Sequence, residues 1–311
     1  MTTLLLARGA RITVDGAVAI ASLSLETRGS RLVLVGHTDP LVAALCGIPQ
    51  GVAAASQAAA TLSELGPVAG DARATGGELR LVGRDVVTRE HLAIVGAAPF
   101  DPPLPQDWTA EAYVVSWVRL SGVSSAREAT ARAKDALARV GLGAATARAI
   151  KSLKLPEKRA LVLAAAVSTG PEVLVADRPL AGLEGAAAQF VGGALDAASD
   201  GRPSVVSVQS LVPGTAEGRV ARAATDLAAL VGGELSMVGA PSEVLGAQRL
   251  FRLTVRSNAE ALREALAARG AALAGGPTHF SLRLAGDQDA SFVLGVASEV
   301  RSAVVEIVPV V

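Results

Sequence analysis

A chain that grips phosphate commonly does so where a buried parallel strand exits into a glycine-rich turn, with a lysine and a hydroxyl at the start of the next helix. The run RLVLVG at Arg31 to Gly36 has the continuous apolar character of such a strand, and Gly36 stands at its exit. The next residues are His37, Thr38, Asp39 and Pro40, then LVAALCGI. Asp39 places negative charge where a phosphate would arrive, Pro40 has no N–H to give, and the hydroxyl of Thr38 comes early in the turn. No Lys or Arg lies between Arg31 and Arg73, and the first lysine of the chain is Lys134.

A second point that could carry chemistry is the end of the apolar run PEVLVADRPL, at Asp177 and Arg178. A carboxylate at a strand end can face a metal-bound water, or it can simply bond the adjacent turn. Its neighbour Arg178 stays protonated and cannot accept a proton from an attacking water. The three histidines, His37, His91 and His279, are scattered, and Cys46 is the only cysteine. No compact His/Cys/carboxylate spacing suggests a metal site, and an internal disulfide is excluded. These histidines read as local hydrogen-bonding or surface residues.

Pattern locates the elements that must position these groups. IASLSLETRG and GGELRLVGRDV alternate like half-buried strands, whereas RLVLVG, HLAIVGAAPF, PEVLVADRPL and PSVVSVQS read as buried ones. A short helix is expected near Ala43 to Gly47, and Gly51 to Gly70 is alanine-rich without clear period. Prolines 102, 103 and 105 stop regular structure, and Thr109 with Glu111 then marks a helix start. Further helical patterns cover Ala126 to Val140, Pro156 to Val167 and GAAAQFVGGALDAAS, in which Gly192 and Gly193 cost about 1 kcal/mol each relative to Ala. DLAALVGGELSMVG reads as two strands joined at Gly232 and Gly233. From Leu250 the order β-α-β-β-α-β suggests a small ferredoxin-like α+β domain. The expected division is therefore 1–245 and 248–311, with a helical insertion at about 105–165.

The first ~240 residues resemble the ATP-binding subunit of an ABC transporter, an α/β fold of the P-loop NTPase type. The likeness is densest in SLKLPEKRALVLAAAVSTGPEVLVADRPLAGLE, Ser152 to Glu184. The resemblance implies that Asp177 stands at the Walker B position, Gly182, Leu183 and Glu184 at the D-loop, and Arg178 where the catalytic glutamate belongs. It aligns the signature loop, LSGGQ in the family, with Leu153, Lys154, Leu155, Pro156 and Glu157, so that both glycines are replaced. Phe100 falls at the Q-loop glutamine and Gln209 at the switch histidine, and no aromatic residue precedes Phe100 to stack on adenine.

The resemblance thus implies a pseudo-ATPase, with no catalytic residue and no ATP or magnesium expected; the alternative is a subunit that binds or hydrolyses ATP weakly. Its implied partners are an ABC-type ATPase subunit, an integral-membrane permease, or both, with Phe100, Trp108, Tyr113 and Trp117 as candidate contacts because that region faces the permease in transport ATPases. Core packing competes for Trp117. A free-standing regulatory module is the third reading. With Lys plus Arg at 29 against Asp plus Glu at 29, nothing points to nucleic acid or anionic lipid. No apolar run approaches the ~20 residues that span a bilayer, and the start MTTLLLARGARITV is a poor secretory signal. A cytoplasmic chain is expected, peripheral to the membrane through a permease.

Overall fold

The computed structural model describes residues 3–36, 38–47, 72–209, 211–212, 215–231, 233–246, 250–275, 278–284 and 288–309. The alanine-rich stretch from Gly51 to Gly70, and His37, lie outside them. Two units are distinguished, Met1–Pro241 and Ser242–Val311.

In the first unit, strands β1 (Leu5–Val14) and β2 (Ala17–Thr27) form an antiparallel hairpin through Asp15 and Gly16, both at positive φ. Strand β1 also pairs with β4 (Ala72–Leu81), which carries the two-residue β5 (Arg84–Asp85), giving the order β2-β1-β4-β5. These strands bury alternate residues, as the sequence alternation requires of a sheet with one wet face.

The second sheet has the order β10-β9-β3-β8-β7-β6. Its strands are β3 (Arg31–Gly36), β6 (Val95–Ala98), β7 (Val173–Ala176), β8 (Ser204–Val208), β9 (Asp226–Val231) and β10 (Glu234–Gly239). All neighbours run parallel except β10, which returns antiparallel on β9. Every residue of β7 and β8 is buried; the continuous Val, Leu and Ala run of β7 fits this two-sided burial, and β8 mixes three valines with the buried Ser204 and Ser207. The core joins both sheets: Leu5, Ile12, Leu79 and Leu81 belong to one cluster with Leu32, Leu34, Val175 and Val205.

Helices α1 (Asp39–Cys46), α2 (Ala110–Leu120), α3 (Ala126–Arg139), α4 (Leu155–Ser168), α5 (Gly185–Ser199) and α6 (Ala216–Arg222) complete the pattern, and α7 (Pro241–Gly246) begins at the last residue of this unit and otherwise belongs to the second. The hydroxyls of Thr109, Ser125 and Thr215 cap α2, α3 and α6 by accepting backbone N–H bonds from the residue three places on. Helix α3 buries Ala129, Ala133, Ala136 and Leu137, one stripe at helical spacing. Helix α5 runs unbroken through Gly192 and Gly193, held by the buried Val191, Ala194 and Leu195.

Two expectations need correction. The helix placed at Ala43 to Gly47 begins at Asp39, because the fixed φ of Pro40 suits a first turn, where its missing N–H has no intrahelical partner to lose. The strand read from His91 onward is a 3₁₀ turn over Glu90–Ala93, and only Val95–Ala98 joins the sheet. The turn exists because His91 points inward: its Nε2 lies 3.2 Å from the Ala44 carbonyl of α1 and therefore carries the proton.

The second unit carries β11 (Leu250–Ser257), α8 (Ala259–Ala267), β12 (Ala272–Gly275), β13 (His279–Arg283), α9 (Ala290–Glu299) and β14 (Ala303–Pro309). Its sheet is antiparallel in the order β12-β13-β11-β14. Leu253, Val255, Leu262, Leu266, Phe280, Leu282, Val293 and Val296 form its own core.

Candidate functional site

Strand β3 ends at Gly36, whose φ of 91° is a left-handed conformation. A Cβ there would stand 2.1 Å from the Leu230 carbonyl oxygen, so the close approach of β9 requires glycine. Two residues on, Thr38 is buried and donates its backbone N–H to Gly36 O at 2.8 Å. Thr38 precedes α1 without a side-chain cap, and Asp39 and Pro40 form the helix's first turn.

Across the sheet, β7 delivers Asp177, whose N–H bonds Ala98 O at 2.9 Å. The Asp177 side chain is 11% exposed, and its Oδ1 accepts from Ser207 Oγ at 2.8 Å and from Arg178 Nε at 3.1 Å. Arg178 turns left-handed, with φ of 43°, and its N–H donates to Ser207 Oγ at 2.9 Å. Its Nη1 reaches Asp39 Oδ1 at 3.4 Å. One guanidinium thus ties the first turn of α1 to the end of β7.

The same guanidinium lies 4.5 Å from the ring centroid of Phe100, and that of Arg159, on α4, lies 4.1 Å from it. Arg159 is buried, and its Nε and Nη1 have no hydrogen-bond partner among the described residues. Burial lowers its pKa; Asp101 and Asp177 oppose the shift and Arg178 adds to it. Arginine remains charged even so. Sequence reasoning misses Arg159 and Ser207. The second serine of SVVSV, in a strand with no wet face, was the available signal for Ser207.

The remaining sequence-level positions scatter around this cluster. Gln209 is exposed, and its backbone N–H is taken by Glu217 Oε1 at 3.1 Å. Gly182 and Leu183 form the turn after β7, with Leu183 N bonded to Leu180 O, and Glu184 stands at the N-cap position of α5 without a side-chain cap bond. In the segment Leu153–Glu157, Leu153 is buried, Lys154 is the N-cap of α4, and Leu155 and Pro156 open the helix. Glu157 Oε2 accepts from Lys154 N at 2.7 Å, and Arg148 grips both carboxylate oxygens at 2.6 and 3.3 Å. Arg148 is the main reason that the Glu157 pKa falls below its ordinary value.

The four aromatic contact candidates do not share one role. Trp108 and Trp117 are 48% and 40% exposed. Tyr113 is buried, edge-on to Trp117 at 6.3 Å, and Phe100 is half-buried against the two guanidiniums, so neither presents a free ring. Among the described residues, no three His, Cys, Asp or Glu side chains are grouped to hold a metal ion, and no helix is long and apolar enough to cross a membrane.

No protein-family model and no curated protein sequence matches the chain. Solved structures do resemble it in fold. A nucleotide-free ATP-binding cassette from an ABC transporter matches 78% of this chain and 94% of its own, with a TM-score of 0.59 at 14% identity. The ADP conformation of MJ1267, another such cassette, covers 79% and 95%, with a TM-score of 0.59 at 14% identity. A bacterial Atm1-family ABC exporter with ATP bound covers 79% of this chain and 40% of its own, with a TM-score of 0.54 at 15% identity. The mixed α/β fold is that of an ABC ATP-binding cassette. At these identities the likeness is one of fold and carries no activity with it.

Proposed function

We propose that this chain is a catalytically degenerate ABC-cassette subunit, acting as a structural or regulatory partner of a membrane-associated transport complex. One observation carries the reading: Arg178 is held between Asp39 and Asp177, at 3.4 and 3.1 Å. In this reading Asp39 occupies the ground of a phosphate and Arg178 that of a magnesium ion, so the chain supplies both charges of its own former ligand. The donor set does not suit a magnesium nucleotide. Asp177 Oδ1 is already shared by Ser207 and Arg178, and the first turn of α1 offers a carboxylate and a proline. A guanidinium beside Asp177 also cannot act as a base.

The same reading takes α2, α3 and α4 to about residue 165 as the cassette's helical insertion, and the second unit as a ferredoxin-like accessory domain, in keeping with its β-α-β-β-α-β order. An ABC-type ATPase subunit or an integral-membrane permease is the proposed partner, which places the chain at the inner face of a membrane. The exposed rings of Trp108 and Trp117 suit such a contact, since indoles combine apolar area with a polar handle.

Two measurements test this. Calorimetric titration of the purified chain with magnesium-ATP should give no saturable heat at millimolar nucleotide. Magnesium-dependent binding that Asp177→Asn abolishes would instead establish the weakly ATP-binding subunit. Affinity purification from detergent-solubilised membranes should recover an ABC ATPase or a permease. A monomer that recovers neither would leave the free-standing module as the correct reading.

A further inference from the structure

Away from the arginine cluster, the end of α3, the turn Gly143–Ala145, the start of α4 and the middle of α5 border an open cleft of about 350 Å3. Its lining is mainly apolar: Leu142 and Ala145 are buried in it, and Phe190 supplies an aromatic wall. Small residues leave the room. Gly141 sits at φ 82°, and a Cβ there would press to 3.1 Å from Phe190 Cε2, while Ala144 and Ala145 end at a single methyl.

The charges around the cleft are unequal. Arg148 commits Nη1 to Glu157, and Nη2 to Glu157 and to Ser152 O at 2.7 Å, so that pair is internally neutral. Lys154 Nζ makes no hydrogen bond or ion pair with any described residue. Arg148 and Lys154 both act on the single carboxylate of Glu157, so the lining carries one net positive charge beside an apolar hollow.

We propose that this cleft binds a small amphipathic monocarboxylate, with its carboxylate on Lys154 and its apolar body against Phe190, Leu142 and Ala145. A single point-like cation matches a single negative charge. A dianion such as phosphate is disfavoured, because Glu157 borders the same space and Arg148 is already spent on it. The volume suits a body of about eight carbons, at the small end of ligand sites. The proposal stands apart from the pseudo-ATPase reading, since it does not depend on whether nucleotide binds.

The probe is octanoate, titrated calorimetrically into the full chain. At ordinary ligand efficiency its ten heavy atoms predict a Kd of about 1 mM. Lys154→Gln, at an exposed position, should weaken binding about three- to fivefold, the worth of one part-exposed charge contact. Ala144→Phe should fill the cleft from its rim and abolish saturable binding while leaving the melting temperature unchanged, and octan-1-ol should bind more weakly than octanoate. Octanoate without saturable heat at ten times the expected Kd overturns the proposal. So does binding that Lys154→Gln and Ala144→Phe both leave intact, or octan-1-ol binding as tightly as octanoate.

Discussion

At the level of single residues, Arg178 decides the character of the site, and its worth follows from where its partners lie. Its side chain is 15% exposed, against 21% for Asp39 and 11% for Asp177, so the three charges are largely withdrawn from water. An exposed pair contributes about 0.2–1 kcal/mol, whereas removing one member of a buried set leaves charge uncompensated. Arg178→Met should therefore cost about 2–3 kcal/mol in urea denaturation, and Asp39→Asn about 1 kcal/mol, because Arg178 then keeps Asp177. The double variant should fall short of the sum by about 1 kcal/mol; strict additivity would mean that Asp39 and Arg178 do not interact. Cys46 carries a related prediction. Burial, reinforced by the charge of Asp177, pushes its thiol far above the ordinary range. A thiol reagent at neutral pH should leave it unmodified in the native chain and react fully once the chain is unfolded, because only the thiolate attacks. Fast modification of the folded protein would mean that the neighbourhood of α1 opens readily.

At the scale of elements, caps and turns set where helices begin and how they meet the sheets. Thr109 Oγ accepts the Ala112 N–H at 3.1 Å, and Thr109→Ala should cost about 1 kcal/mol by leaving that donor unpaired in protein. Thr109→Ser should recover most of it, which separates the cap from the lost methyl. The 3₁₀ turn at Glu90–Ala93 makes stability depend on pH through His91. Burial is the main cause of its lowered pKa, only partly opposed by the Ala44 carbonyl. The unfolded chain, with an ordinary value of 6.5, binds the proton more readily than the folded one. The stabilisation is thus complete above pH 6.5 and is lost as pH falls from there through the lower, folded pKa. Thermal melts across that range should slope for the native chain and lose that part of the slope in His91→Gln, which cannot titrate. Equal slopes in both would place the proton elsewhere.

For the whole molecule, legibility in sequence divides by how far apart along the chain the causes lie. RLVLVG and VLVA announce buried strands because burial on both faces leaves a continuous apolar run, and Thr109 announces a helix start through local capping chemistry. His91 breaks its expected strand because a side chain reaches Ala44, 47 residues away, a distance that no window of pattern covers. The candidate site is legible as individual positions, Asp39, Phe100, Asp177 and Arg178, but their mutual contact is not; Arg159 escapes notice because it fits the local helix pattern, whereas Ser207 leaves its mark only as a polar residue in a buried run. The separate core of the second unit, by contrast, follows from a local βαββαβ pattern, and it yields a measurable consequence. Trp108 and Trp117, the only tryptophans, both lie in the first unit, so indole fluorescence reports that unit while circular dichroism reports helices and strands of both. Leu262 is fully buried in the second unit's core, and Leu262→Ala should cost that core about 2–4 kcal/mol. The expected outcome is an earlier loss of part of the dichroism signal with the fluorescence midpoint unmoved, because each core is stabilised by its own contacts. A fluorescence midpoint that falls in step with the dichroism would show one cooperative core, and the chain would have to be treated as a single folding unit.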